Sequence, residues 1–208
     1  MWGEDHPNTM GIMKRLLGEE HPNTLGMYTN IGSLYNSMKR FEEAAEVFEI
    51  SLPIKRRVLG LQHPWTGYAM DGLVTAYMGL GRIEDAQPLQ DERVELLVDA
   101  ASRPDATTSV LVGAAWALLD EHFGETLDSE LALAFTQRAC AIAEANGSGA
   151  SWDTLSTLAL AQHRTGDDAA AVETQRRTLE RKPEDLNPKS FEDLTQQLAE
   201  YEAAAKDH

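Results

Sequence analysis

The chain has 208 residues, 42% of them apolar, enough for one good-sized core or a short repeat array. A formal charge of -16 argues against nucleic acid and anionic membrane surfaces as partners, because phosphate binding needs a concentrated positive field, and it favours basic or apolar partners. A single cysteine, Cys140, excludes an internal disulfide framework and a zinc site of paired cysteines; no apolar run nears the about 18 residues that cross a bilayer, and MWGEDHPNTM lacks the order of a secretory signal, so a cytoplasmic location is expected.

One short motif recurs, as GEDHPNT at residues 3–9, GEEHPNT at 18–24 and GLQHPWT at 60–66. The last two begin 42 residues apart, the first two only 15. Between the first two, Gly11 to Leu17 aligns with Pro53 to Leu59, the end of a second helix. Residues 1–17 are therefore expected to be a truncated repeat remnant, a helical stub that partly covers the edge of the next unit.

Residues 18–59 and 60–101 are two full units, sharing Tyr35 and Tyr77, Arg40 and Arg82, Glu42 and Glu84, and Ala44 and Ala86. Each reads as two amphipathic helices. Tyr28, Ile31, Leu34 and Tyr35 fall on one helical face, and Ala44, Ala45, Val47, Phe48 and Leu52 on the next. Small residues such as Gly32 and Ala44 between large ones let the two helices approach closely. Proline fixes the entry to each unit, with Thr24 or Thr66 expected to cap the helix that follows. Pro53 is predicted to kink the second helix near Phe48 to Ser51, whereas Pro88 lies closer to a helix start. Such units leave an apolar face uncovered, so they stack until caps close the array.

Residues 105–146 form a degenerate third unit, with one apolar helix over Val110 to Leu119 and another over Leu131 to Ala145, across the loop EHFGETLDS. In the fourth unit, 151–183, Leu155, Leu158, Ala159, Gly166, Ala171 and Pro183 keep the spacing of a 34-residue repeat. Gly166 is expected to end its first helix, and Asp167-Asp168 to start the second near the positive dipole end. Residues 184–208 read as a C-terminal capping helix, with a narrow stripe of Phe191, Leu194, Leu198 and Tyr201.

The order of large and small residues at Ile31, Gly32, Tyr35, Ala44 and Phe48 resembles the tetratricopeptide repeat, and the LGxxHPxT turn with its 42-residue unit resembles kinesin-light-chain-like repeats of the bacterial type. HEAT-type repeats share the period but not that order. The resemblance implies an all-α fold, a right-handed superhelical stack of antiparallel helix hairpins forming an α-α solenoid with a C-terminal capping helix. It also implies a non-enzymatic protein- or peptide-binding scaffold, with the first helix of each hairpin lining a concave groove. The peptide-binding residues would be Thr29, Asn30, Ser33 and Asn36 in the first full unit, Tyr68, Asp71, Thr75 and Met78 in the second, and Asp153, Ser156, His163 and Arg164 in the fourth.

Two departures limit that carry-over. Gly72 replaces the groove asparagine represented by Asn30, and the cluster of lysine and arginine that clamps chaperone-peptide carboxylates is absent, so no chaperone-tail binding is expected. A second reading is an assembly or self-association module detached from a larger bacterial signalling protein, dimerising through an exposed array edge.

Catalysis has no visible candidate: GxSxG, a phosphate-cradling glycine loop and HExxH are all missing. His6, His21 and His63 occupy equivalent turns of different units, which argues for turn roles over a metal site. Cys140 in RACAIAEA reads as a buried inert thiol, and the pairs Glu42-Glu43 and Asp167-Asp168 as helix starts. Trp2, Trp65, Trp116 and Trp152 are packing anchors or interaction hot spots; Trp116 is assigned to packing and Trp65 to an exposed turn. No metal or cofactor is expected.

Overall fold

The computed structural model describes residues 6–120 and 128–207. Trp2, the first residues of the GEDHPNT motif, the side chain of His6 and most of the EHFGETLDS loop lie outside them. The described residues form ten helices and no strand: α1 His6–Leu17, α2 Pro22–Ser37, α3 Phe41–Val58, α4 Pro64–Gly79, α5 Ile83–Ser102, α6 Thr108–Leu119, α7 Ser129–Ala145, α8 Trp152–Arg164, α9 Asp168–Arg181 and α10 Pro188–Asp207. They divide into two compact units, Met1–Leu96 and Leu97–His208. The fold is an all-α array of helical repeats.

In the first unit α2 packs on α3, α3 on α4, α2 directly on α4, and α1 on α2. The HP dipeptides explain the starts of α2 and α4. A residue before proline is held to extended backbone, which is the N-cap conformation, and proline suits the first helical position. His21 and His63 accordingly have ψ of 135°, and their Nδ1 atoms accept the N–H of Asn23 at 3.2 Å and of Trp65 at 3.1 Å. The histidines, not the threonines, are the caps. Thr24 and Thr66 are fully buried, and the Thr66 hydroxyl donates to the Gly60 carbonyl at 2.8 Å.

The core of this unit is built around Phe48, fully enclosed with Leu52, Met70, Leu73, Val74 and Tyr77. A Cβ at Gly32 or at Gly72 would overlap its ring, so both glycines admit the phenyl group between α2 and α4. Tyr35 and Tyr77 each carry an arginine on the ring face, Arg40 at 4.7 Å and Arg82 at 4.2 Å from the centroid. Leu34, expected on the buried face, is 39% exposed. Helix α3 runs unbroken through Pro53, whose ring points to solvent.

In the second unit α6 packs on α7, α7 on α8, α8 on α9, α9 on α10, and α6 directly on α8. Arg138 of α7 donates to the carbonyls of Ala101, Arg103 and Pro104, satisfying the C-terminal end of α5 and the turn after it. Gly166 adopts φ of 86° after α8, and Asp167 caps α9 by accepting from the Ala170 N–H. Helix α10 is docked by Leu194 and Tyr201, which are buried, and by Gln175 of α9, whose Nε2 donates to the Leu194 carbonyl at 2.9 Å. Phe191 is 43% exposed, so the buried stripe is narrower than the sequence suggests.

Two tryptophans depart from expectation. Trp65 is half-buried, lying over Gly26 with its ring edge-on to His63, because the HP turn folds it back onto α2. Trp116 is 49% exposed, because the buried face of α6 is taken by Leu111, Ala114, Ala115 and Leu118.

Candidate functional site

Helices α2 and α4 are the first helices of consecutive hairpins, and their touching faces enclose a shallow cavity of about 440 Å³. Six of the sequence-derived binding residues line it together: Thr29, Ser33 and Asn36 from α2, and Tyr68, Asp71 and Thr75 from α4, with Gly72 between them. Asn36 donates through Nδ2 to the Gly72 carbonyl at 2.8 Å, tying the two helices, while its buried Oδ1 has no partner. Tyr68 is 58% exposed. Asn30 and Met78 are exposed on the same two helices but do not line the cavity.

Charge around this cavity is partly internal. Asp71 accepts from Arg93 of α5 at 2.9 Å; burial raises its carboxyl pKa while the guanidinium opposes the rise. Beneath Thr29 lies Lys55, fully enclosed, donating to Thr29 Oγ1 at 2.7 Å and Ser51 Oγ at 3.4 Å. Both partners are neutral hydroxyls, so burial dominates and pushes the ammonium down to about 8.

The second unit has its own cavity, of about 580 Å³, between α6 and α8. Asp153 and Ser156 line it, joined by Ser109, Val112 and Trp116, which sequence reasoning did not assign to binding. His163 lies elsewhere. Its Nδ1 sits 2.5 Å from the buried Asp168, and its ring lies 4.7 Å from that of Tyr201, so it joins α8, α9 and α10. Arg164 is exposed at the end of α8, away from the lining residues of that cavity.

Cys140 is half-buried, and burial, with Glu144 adding to it, raises its thiol pKa. Raised pKa values suppress thiolate, so this is a weakly reactive thiol. Among the described residues no cluster of three His, Cys, Asp or Glu side chains could hold a metal, and no helix is long and apolar enough to cross a membrane.

No curated protein matches the chain. Among solved structures, two crystal structures of nearly identical TPR-like repeats of a Podosopora anserina protein named as a kinesin light chain are similar in fold, one of them a variant with a single glutamine-to-methionine substitution. Their TM-scores are 0.58 and 0.57, each at 19% identity, covering 90% of this chain and 89% and 90% of theirs. The tetratricopeptide repeat family model matches residues 23–97, which hold α2 to α4 and most of α5. Such repeats generally serve as non-enzymatic scaffolds for protein–protein interaction. Residues 23–97 thus match a tetratricopeptide repeat model, and the fold of the chain is similar to that of kinesin-light-chain-like TPR repeats.

Proposed function

We propose that the chain is a scaffold that holds an extended peptide or a partner helix against the first-helix faces, preferring basic or apolar sequences to acidic ones. The observation that carries this is the convergence of Thr29, Ser33, Asn36, Tyr68, Asp71 and Thr75 on one cavity between α2 and α4. Hydroxyl and amide groups can bond a peptide backbone without demanding a particular side chain, and Tyr68 offers an aromatic surface. The unpartnered Asn36 Oδ1 supports the reading, because an incoming backbone N–H would satisfy it after a small side-chain shift. The charge of -16 supports the preference for basic partners and stands against nucleic acid and anionic membranes. A cytoplasmic location belongs to the same reading.

Selection of random dodecapeptides on the full chain, followed by calorimetry, tests it. Enriched peptides should carry lysine, arginine or apolar residues, and their affinity should fall about tenfold or more in Asn36→Ala/Tyr68→Ala, the loss expected when two central contacts are truncated. An acidic consensus, or equal binding by the double variant, would overturn the proposal.

A second reading, self-association through an array edge, is favoured by one observation. Helix α1 leaves Ile12, Leu16 and Leu17 exposed, Leu16 by 74%. Light scattering across a concentration range should then show a dimer that Leu16→Glu dissociates, whereas a monomer at all concentrations removes this reading.

A further inference from the structure

The two cavities share their framework and differ in chemistry. Buried Leu111, Ala114, Ala115 and Leu118 of α6 repeat the phase of Tyr28, Ile31, Gly32 and Tyr35 of α2, so Trp116 stands where Ser33 stands. Likewise Leu155, Leu158, Ala159 and Ala161 of α8 repeat Met70, Leu73, Val74 and Ala76 of α4, which puts Asp153 in the place of Tyr68. In the first unit the groove acid, Asp71, is already paired with Arg93. The position equivalent to Arg93 in the second unit is Thr178, which is buried and donates to the Thr174 carbonyl. Among the described residues no cation pairs with Asp153, which is exposed, and the cavity wall opposite it carries a half-exposed indole.

An exposed carboxylate and an exposed indole on one cavity form a complementary surface for a cation with an apolar stem. The ring face attracts the positive charge, the carboxylate pairs with it, and Val112 can cover methylenes. A guanidinium suits the pair best, because it stacks flat on an aromatic face while presenting N–H groups to a carboxylate. We propose that Trp116 and Asp153 form a seat for an arginine or lysine side chain of a bound peptide. The seat rests on the reading of the first-helix faces as binding surfaces, and gives the second unit a defined specificity within it.

The test uses the full chain and three capped tripeptides, Ac-Ala-Arg-Ala-NH2, its citrulline counterpart and its norleucine counterpart, followed by the indole N–H resonance of Trp116, assigned through Trp116→Phe. The arginine peptide should shift that resonance saturably, with a Kd at least threefold below that of the neutral citrulline peptide, and Asp153→Asn should abolish the difference. Circular dichroism and thermal midpoints of both variants, which alter exposed positions, establish that folding is intact. Equal response to all three peptides, or a charge preference that survives Asp153→Asn, overturns the seat while leaving groove binding standing. Selected dodecapeptides that perturb only residues around Tyr68 do the same. If neither cavity responds to any peptide, the underlying binding reading fails with it.

Discussion

The Phe48 ring of α3 lies so close to Gly72 of α4 that a Cβ at that position would overlap it. Two effects oppose each other in Gly72→Ala. Alanine gains about 1 kcal/mol of helix propensity, and overpacking a rigid enclosed ring costs about 1–3 kcal/mol. Phe48 is fully buried and flanked on its other side by Gly32, so it cannot retreat, and the clash should win. Gly72→Ala should lower the unfolding free energy in urea by roughly 1–2 kcal/mol, and Phe48→Leu should recover part of that loss in the double variant. A stabilised Gly72→Ala would refute this account of the α2–α4 contact.

This packing also gives a reason for a glycine at position 72, where the preceding repeat has Asn30. In the alignment of the two full units, Gly72 looks like a lost binding residue. Its carbonyl instead accepts from Asn36, and its missing side chain makes room for Phe48.

His63 caps α4 and also meets the Trp65 ring edge-on, and the two roles can be separated. His63→Ala removes both, at a cost of about 1 kcal/mol for a lost N-cap. Asparagine can accept the same backbone N–H but cannot meet the indole. His63→Asn should therefore restore most of the stability measured in urea. If the asparagine variant is no better than the alanine one, the contribution lies in the ring contact.

Lys39 takes φ of 58° in the turn between α2 and α3, where the next unit has Gly81 at φ of 73°. A left-handed conformation costs a residue with a side chain roughly 1–2 kcal/mol, part of which glycine loses again through its freer unfolded chain. Lys39→Gly should raise the thermal midpoint, and Gly81→Lys should lower it. Shifts of the same sign in both variants would show that the turn geometry is not what decides.

The repeats were legible because their identities fall on contacts made twice: Tyr35 with Arg40 and Tyr77 with Arg82, His21 and His63 as caps. That six of the proposed binding positions share one cavity was legible for the same reason, since the helical phase of α2 and α4 is pinned by those markers. The third unit lacks the HP turn and the tyrosine–arginine pair, so nothing in the sequence set the phase of α6, and Trp116 was assigned to the wrong side. His163 has the spacing of a groove residue, yet Asp168 and Tyr201, brought near by α9 and α10, hold it between helices. Both misses concern contacts between elements, which spacing along one helix cannot report.

Lys55 is the least expected of these groups, since a lysine on an apolar helix face ordinarily reaches solvent with its ammonium. Here the ammonium is enclosed, bonded to Thr29 and Ser51, and its pKa falls from 10.5 to about 8. Between those values the unfolded chain holds a proton that the folded chain has released, so stability rises with pH through this window. Below about pH 8 the folded state bears the full cost of a buried charge. From pH 7 to 9.5 the gain is about 2 kcal/mol by linkage. The window closes near pH 10, where tyrosines begin to ionise in the unfolded chain while Tyr77 and Tyr201, held at about 12, do not in the folded one. Urea midpoints at pH 7 and 9.5 should therefore diverge for the natural chain and converge for Lys55→Met, which should also be the more stable of the two at pH 7. Midpoints that fall between pH 7 and 9.5, or a rise that persists in Lys55→Met, would assign the pH dependence to other groups.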